Sequence, residues 1–309
     1  MIERLCRFLY TKPRGLCYTK IEEGFFRRLR IKIVKNEVSS INIVDEIEAR
    51  RQQILGKTKL AAKEGIVIAP SLDDFRRVLA VGDIHGFYEP LRALFSAADY
   101  VPEKDLLIFL GDYIDRGPDS AKVLRYIMKL KRENPYVVTL TGNHEAMMLN
   151  YFGDNSIRDP MNRNHGWLSS GGDPTFRSLR ALYEENPAHY RDVIEFILGL
   201  DHIAAVENKF FFSHAGFYPK VSYAKQLDSM LWLREDFYRD YHGRRTAVIG
   251  HTPVQFFNSA RTAPLVFPNH IIDIDTGSFL PSGRISCVDV KNKKYWQSDK
   301  NGAKAAILR

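Results

Sequence analysis

Val78-Leu79-Ala80-Val81-Gly82-Asp83-Ile84-His85-Gly86 joins an apolar run to two polar residues flanked by glycines. Four consecutive apolar residues read as a strand buried on both faces, and Asp83 and His85 are the first polar side chains to emerge from its end. In an extended segment, residues i and i+2 point the same way, so the carboxylate and the imidazole are expected to meet at one metal ion. Gly82 and Gly86 permit turn geometry and close backbone approach. The pentapeptide alone reads equally well as a polar turn; its weight comes from recurrence.

The same arrangement returns four times. Residues 106–110 run into Gly111-Asp112-Tyr113-Ile114-Asp115-Arg116-Gly117, and residues 136–141 into Gly142-Asn143-His144-Glu145. Residues 210–212 run into Ser213-His214-Ala215-Gly216, and residues 247–249 into Gly250-His251-Thr252-Pro253. Helical patterns at 91–98 and 121–131 separate the early strands, and such βα alternation predicts an α/β fold with parallel pairing and helices on the sheet faces. Ligands of these sheets gather outside the carboxyl ends of the strands, where the polar clusters fall. Strands resume at 203–206, 210–212, 247–249, 271–274 and 285–290 with little helix between the later ones, which predicts a second, more antiparallel sheet.

Imidazoles, carboxylates and an amide oxygen, with no thiolate, suit divalent manganese, iron or zinc. Asp83, His85, Asp112, Asn143, His214 and His251 are too many for one tetrahedral site and suit two ions sharing a carboxylate.

The ordered set Gly-Asp-x-His-Gly, Gly-Asp-x-x-Asp-Arg-Gly, Gly-Asn-His-Glu, Ser-His-Ala-Gly and Gly-His-Thr-Pro resembles the PPP family of calcineurin-like metallophosphoesterases. That family includes Ser/Thr protein phosphatases and symmetrical diadenosine tetraphosphatases. The resemblance covers residues 78–290, and Leu231-Trp232-Leu233-Arg234 and Ile274-Asp275-Thr276-Gly277 look like its bacterial and phage branch. It implies two mixed β-sheets packed as a sandwich and flanked by helices. It implies that Asp83 and His85 hold a first metal, that Asp112 bridges, and that Asn143, His214 and His251 hold a second. Manganese is the expected ion, with iron or zinc as alternatives. The resemblance further implies a metal-bridging hydroxide as nucleophile, His144 as general acid oriented by Asp115, and Arg116, Arg234 and Asn143 on the phosphate. Asp115 and Arg116 read alternatively as a structural ion pair, and Arg234 as a surface arginine. His165, His189, His202, His242 and His270 are expected to be ordinary surface or core residues, with His165 the nearest to the site mouth.

The expected activity is hydrolysis of phosphoserine and phosphothreonine in proteins, with a dinucleoside polyphosphate hydrolase as the alternative. The core motifs serve both reactions, so the difference is expected in the covering segment around residues 150–200.

At 309 residues, 45% hydrophobic and 27% charged, the chain reads as globular, and no apolar stretch approaches the ~20 residues that span a bilayer. Charges interrupt Met1-Ile2-Glu3-Arg4-Leu5-Cys6-Arg7, so a secretory signal is not expected and the cytoplasm is the expected compartment. The 3 cysteines, Cys6, Cys17 and Cys287, fit a reducing compartment better than a disulfide framework. A net charge of +8 suits anionic partners, and much of the excess precedes Asn36. Residues 1–75 are expected to form a basic extension containing one amphipathic helix at 41–55. Residues 76–309 then form the catalytic domain, with a helical insertion at 146–200. The extension reads as a solvated face or, with Phe25-Phe26 beside Arg27-Arg28, as a docking segment for an anionic surface or partner protein. A binding module acting through that extension is the competing class of function; specific nucleic-acid binding is not expected.

Overall fold

The computed structural model describes residues 41–152, 166–299 and 301–308. The first forty residues, His165, Cys6 and Cys17 lie outside the described residues. Two mixed sheets carry the chain. In one, the order is β13 (Gly302–Ile307), β12 (Lys294–Asp299), β11 (Ile285–Asp289), β3 (Arg77–Val81), β4 (Asp105–Phe109) and β5 (Val137–Thr139). In the other it is β1 (Ala61–Lys63), β2 (Ile66–Ala69), β6 (Ile203–Val206), β7 (Phe210–Ser213), β8 (Thr246–Ile249), β10 (Ile271–Asp273) and β9 (Leu265–Phe267).

The apolar runs are continuous because each central strand is buried on both faces, and the period-two alternation sorts its residues between two cores. Val78, Ala80, Leu106 and Ile108 point between the sheets, against Val67, Ala204, Phe212 and Val248. Leu79, Val81, Leu107 and Phe109 point outward, under a helical layer. That layer comprises α2 (Tyr88–Ala98), α3 (Ser120–Glu133), α4 (Asn143–Tyr151), α5 (Asp173–Glu185) and α6 (Pro187–Leu198). On the far side, Ile66, Ile203, Phe211 and Ile249 pack with Ile43 and Ile47 of α1 (Ile43–Ile54). The layers are therefore helix, sheet, sheet, helix.

Two expectations change. The division at residue 75 fails because β2 pairs in parallel with β6, from Ile66↔Ile203 to Ala69↔Val206, and is buried along its length. Residues 43–69 are thus part of the sandwich, and the helix expected at 41–55 covers its outer face. The last strands also do not join the second sheet. β11 returns to pair antiparallel with β3, Val288 opposite Ala80, where both of its faces are covered, Ile285 and Cys287 under the helical layer and Val288 between the sheets. The second sheet is mixed, as the resemblance implied, but not the more antiparallel of the two, since β7, β8 and β10 run parallel. Among the described residues no helix is long and apolar enough to cross a membrane.

Arg77 and Asp105 begin β3 and β4 as direct neighbours. The buried Asp105 carboxylate takes Arg77 Nη2 at 2.6 Å and Arg76 Nη2 at 2.8 Å. Burial raises its pKa, but the two guanidinium bonds prevail and set it at about 2. A depressed carboxylate stabilises the fold above its unfolded pKa near ~4 and loses that contribution as pH falls toward the folded value. Asp105→Asn is therefore expected to cost roughly 1–2 kcal/mol at pH 7 and almost nothing near pH 2. Urea unfolding at the two pH values checks this, and an equal cost at both would refute the pairing.

Candidate active site

Three loops leave the carboxyl ends of β3, β4 and β5 and bind one another through their backbones. Ile84 N and His85 N both donate to Asp112 O, at 3.0 and 2.9 Å, and Gly86 N donates to Tyr113 O at 2.8 Å. Glu145, in the first turn of α4, gathers the other two loops. Its carboxylate accepts the N–H groups of Asp112 and Gly142 at 2.9 Å, Tyr113 at 2.8 Å and Ile114 at 3.3 Å. Burial and the charge of Asp112 raise its pKa, while four N–H donors favour the ionised form.

These bonds hold an unusual backbone. His85, Asp112, Asp115, Arg116 and His251 all have φ between 50° and 74°, a left-handed conformation that a Cβ disfavours. The side chains are consequently aimed by turns. Strand β3 stops at Val81, so Asp83 and His85 do not reach the site by strand alternation, as the sequence implied. The carboxylate beside the His85 imidazole is Asp112, Nε2 to Oδ2 3.6 Å, whereas the Asp83 carboxylate accepts His251 N at 3.2 Å. Gly142 and Gly250 are required here, since a Cβ on the first would meet Asp112 Oδ1 and one on the second Asp83 Oδ1.

The six expected ligands are all buried and lie beyond the carboxyl ends of strands in both sheets, Asp83 meeting the others through the His251 N–H. Donor atoms of His85, Asp112 and His144 lie within 4.8 Å of one another, and so do those of Asp112, His214 and His251. Asp112 belongs to both groups.

The protonation pattern fits cations. His85 Nδ1 and His214 Nδ1 lie 2.9 and 3.0 Å from the carbonyls of Ile114 and Leu110. A carbonyl only accepts, so each Nδ1 carries the proton and each Nε2 a lone pair. Burial lowers the pKa of His85, His214 and His251, which keeps these rings neutral. The lone pair of His214 Nε2 then faces Asn143 Oδ1 at 2.9 Å and Asp112 Oδ1 at 3.5 Å. Three acceptors so placed repel one another, and a divalent ion among them turns the repulsion into coordination. His251 Nδ1 also lies 2.8 Å from Asn143 Oδ1, and its buried Nε2 has no hydrogen-bond partner among the described residues.

Beside these groups His144 Nδ1 donates to Asp115 Oδ2 at 2.6 Å. The Arg116 guanidinium donates to His85 Nε2, and to His144 Nε2 at 3.0 Å. Arg234 stands on the other side of the cluster, with Nη1 3.1 Å from Thr252 Oγ1 and 3.4 Å from His251 O. Asp115 and Arg116 are not an ion pair with each other; Arg116 binds the imidazoles and Asp115 the His144 ring. His189, His242 and His270 are exposed. His202 packs against the Tyr223 hydroxyl at 2.6 Å, and burial lowers its pKa to about 4.

Four residues that the sequence reading assigned no role complete the site. Glu145 stands three residues after the helix-starting Gly142, a spacing that signals a capping box. Trp167 donates Nε1–H to Asp115 at 2.9 Å, and Phe279 lies 3.8 Å beneath the Arg116 guanidinium. The buried Asp275 accepts Gly277 N at 2.8 Å. For Trp167 and Phe279 no local pattern exists, because their partners lie far away in the chain.

Residues 76–277 match the calcineurin-like phosphoesterase family. Serine/threonine-protein phosphatase 2 of Escherichia coli (strain K12) is 33% identical over 229 residues, 70% of this chain and 94% of that one. A symmetrical bis(5'-nucleosyl)-tetraphosphatase of Photorhabdus laumondii is 41% identical over 90 residues, 29% of this chain and 32% of that one. The asymmetrical bis(5'-nucleosyl)-tetraphosphatase PrpE of Oceanobacillus iheyensis is 27% identical over 225 residues, 64% of this chain and 82% of that one.

Glu145→Ala leaves four buried N–H groups without their acceptor. Each orphaned group costs about 1–3 kcal/mol, so the unfolding free energy is expected to fall by at least about 3 kcal/mol, with phosphoester turnover falling alongside it. Denaturant titration of the variant checks this; parental stability would show that the carboxylate does not hold the loops together.

Proposed function

This chain belongs to the calcineurin-like phosphoesterase family, and on that premise we propose that it removes phosphate from phosphoserine and phosphothreonine in proteins, using two divalent cations. The observation that carries the reading is the Asp112 carboxylate, shared by His85 and His144 on one side and by His214 and His251 on the other, with Asp115 on the His144 ring. One ion would be held by Asp83, His85 and Asp112, the other by Asp112, Asn143, His214 and His251, and manganese suits that donor set. When bound, such a pair supplies Lewis acidity that activates water and offsets the charge on the phosphoryl oxygens.

The chain's own residues supply the rest. The two arginines flank the cluster, and their guanidinium forks match two phosphate oxygens apiece. For Arg116 this means exchanging the imidazole nitrogens of His85 and His144 for substrate oxygens, while the ring of Phe279 keeps its plane in place. His144 Nε2, released from Arg116, has a free lone pair that can take up a proton from water; the imidazolium so formed, its Nδ1–H held by the Asp115 carboxylate, can pass that proton to the leaving oxygen. Asp115 fixes the Nδ1–H tautomer and the ring orientation, and Trp167 fixes Asp115.

A protein substrate is supported by the extent of the match to the Escherichia coli phosphatase, which spans nearly that whole chain. The match to the asymmetrical tetraphosphatase is also long, and it makes a dinucleoside polyphosphate the second reading.

The test compares a phosphoserine peptide with diadenosine tetraphosphate in manganese, using the parent and His144→Asn. The parent is expected to hydrolyse the peptide with two equivalents of metal by elemental analysis. His144→Asn is expected to lower peptide turnover about 100- to 10,000-fold but p-nitrophenyl phosphate turnover far less, because that leaving group needs no proton. Cleavage of the tetraphosphate with the peptide untouched would replace the protein reading by the nucleotide one.

A further inference from the structure

Burial works against the charge of Arg234, and the attraction that offsets it most comes from the carboxylate of Asp275. Among the described residues its hydrogen bonds both run from Nη1, to Thr252 Oγ1 at 3.1 Å and to His251 O at 3.4 Å. The edge formed by Nε and Nη2 is thereby left for two oxygens of a phosphate. The direction of that edge depends on how firmly Thr252 is held.

Thr252 hydrogen-bonds the Tyr238 hydroxyl, and the Tyr238 hydroxyl donates to Asp273 Oδ2 at 2.8 Å. The phenol proton is spent on Asp273, so the proton of the next bond comes from Thr252, whose oxygen keeps a lone pair for Arg234. The other oxygen of Asp273 accepts Asp275 N at 3.0 Å. One carboxylate at the end of β10 thus fixes both groups that act on Arg234, Thr252 through the phenol and Asp275 through the backbone.

Tyr238 is well placed for this. It lies one turn after Arg234, in the short helix that starts at Glu235, and its ring packs against Phe257 and Phe267 at 4.8 and 4.9 Å between centroids. Asp273, Tyr238 and Thr252 are all buried. Burying polar groups costs free energy, and packing alone would be served as well by phenylalanine and valine. The guanidinium at its end gives the polar chain a purpose.

We infer that Asp273, Tyr238 and Thr252 are positioning residues that orient Arg234 for the phosphoryl group. The inference rests on the phosphomonoesterase reading above, which gives Arg234 its phosphate.

The test uses the manganese-loaded full chain, p-nitrophenyl phosphate as substrate and inorganic phosphate as competing ligand, with Arg234 intact and in an Arg234→Ala background. With Arg234 intact, Tyr238→Phe and Thr252→Val are each expected to raise KM for p-nitrophenyl phosphate and Ki for phosphate about tenfold, the scale of one hydrogen bond to a charged group. The change in kcat is expected to be smaller. Thr252→Ser keeps the hydroxyl and is expected to retain the parental values; the two Thr252 variants decide alone if Tyr238→Phe does not fold. In the Arg234→Ala background the same substitutions are expected to have no further effect, because the group they orient is gone. Equal effects in the two backgrounds would reduce the chain to a structural role and overturn the inference. So would parental KM and Ki in the variants with Arg234 intact. Either result leaves the phosphomonoesterase reading standing, whereas a parent that hydrolyses no phosphomonoester would overturn the two together.

Discussion

The position of Asp112 is the constraint on which the site depends. Its carbonyl accepts two N–H groups from the loop after β3, its own N–H is held by Glu145 from the loop after β5, and its Oδ1 accepts His144 N at 3.0 Å. With φ at 52°, this backbone would relax in an isolated loop, since a residue with a Cβ rarely stays there. It is kept in place because three loops close on it at once. Two sets of imidazoles therefore converge on one carboxylate, and loss of any loop would disperse both.

Around that centre the two sides of the site are built differently. The side that carries Asp83, Asp112, His214 and His251 is made of short loops at strand ends, fixed to the sheets by backbone hydrogen bonds. The side that carries His144 and Asp115 is supported from the helical layer. Trp167 and Thr175 both bind Asp115, the latter accepting its N–H at 2.7 Å, so the His144 ring is oriented by residues beyond the strand ends. Changes in this helical region can thus alter the orientation of the His144 ring without touching Asp112, His214 or His251.

The layering explains why so many polar groups can be buried at one edge. Each central strand spends its apolar residues on two cores, and at its carboxyl end the chain must turn. Glycines there let backbones and carboxylates approach to distances that a Cβ would block. Many of the buried polar atoms at that edge satisfy one another, as buried polar groups generally do, while His251 Nε2 and Asp275 Oδ2 have no hydrogen-bond partner among the described residues.

The sequence by itself determined the strands that carry the site, the residue types at their ends and hence the donor chemistry. Those features are local, being a matter of apolar run, glycine and polar side chain in succession. Boundaries of the main strands and helices accordingly moved by only a few residues. Tertiary structure alone decided that residues 43–69 join the sandwich, that β11 returns to β3, and that Asp112 rather than Asp83 lies beside the His85 imidazole. It alone brought Trp167 to Asp115 and Phe279 to Arg116. Strand pairing and side-chain contact between distant segments depend on which buried faces find cover, and no spacing along the chain encodes that.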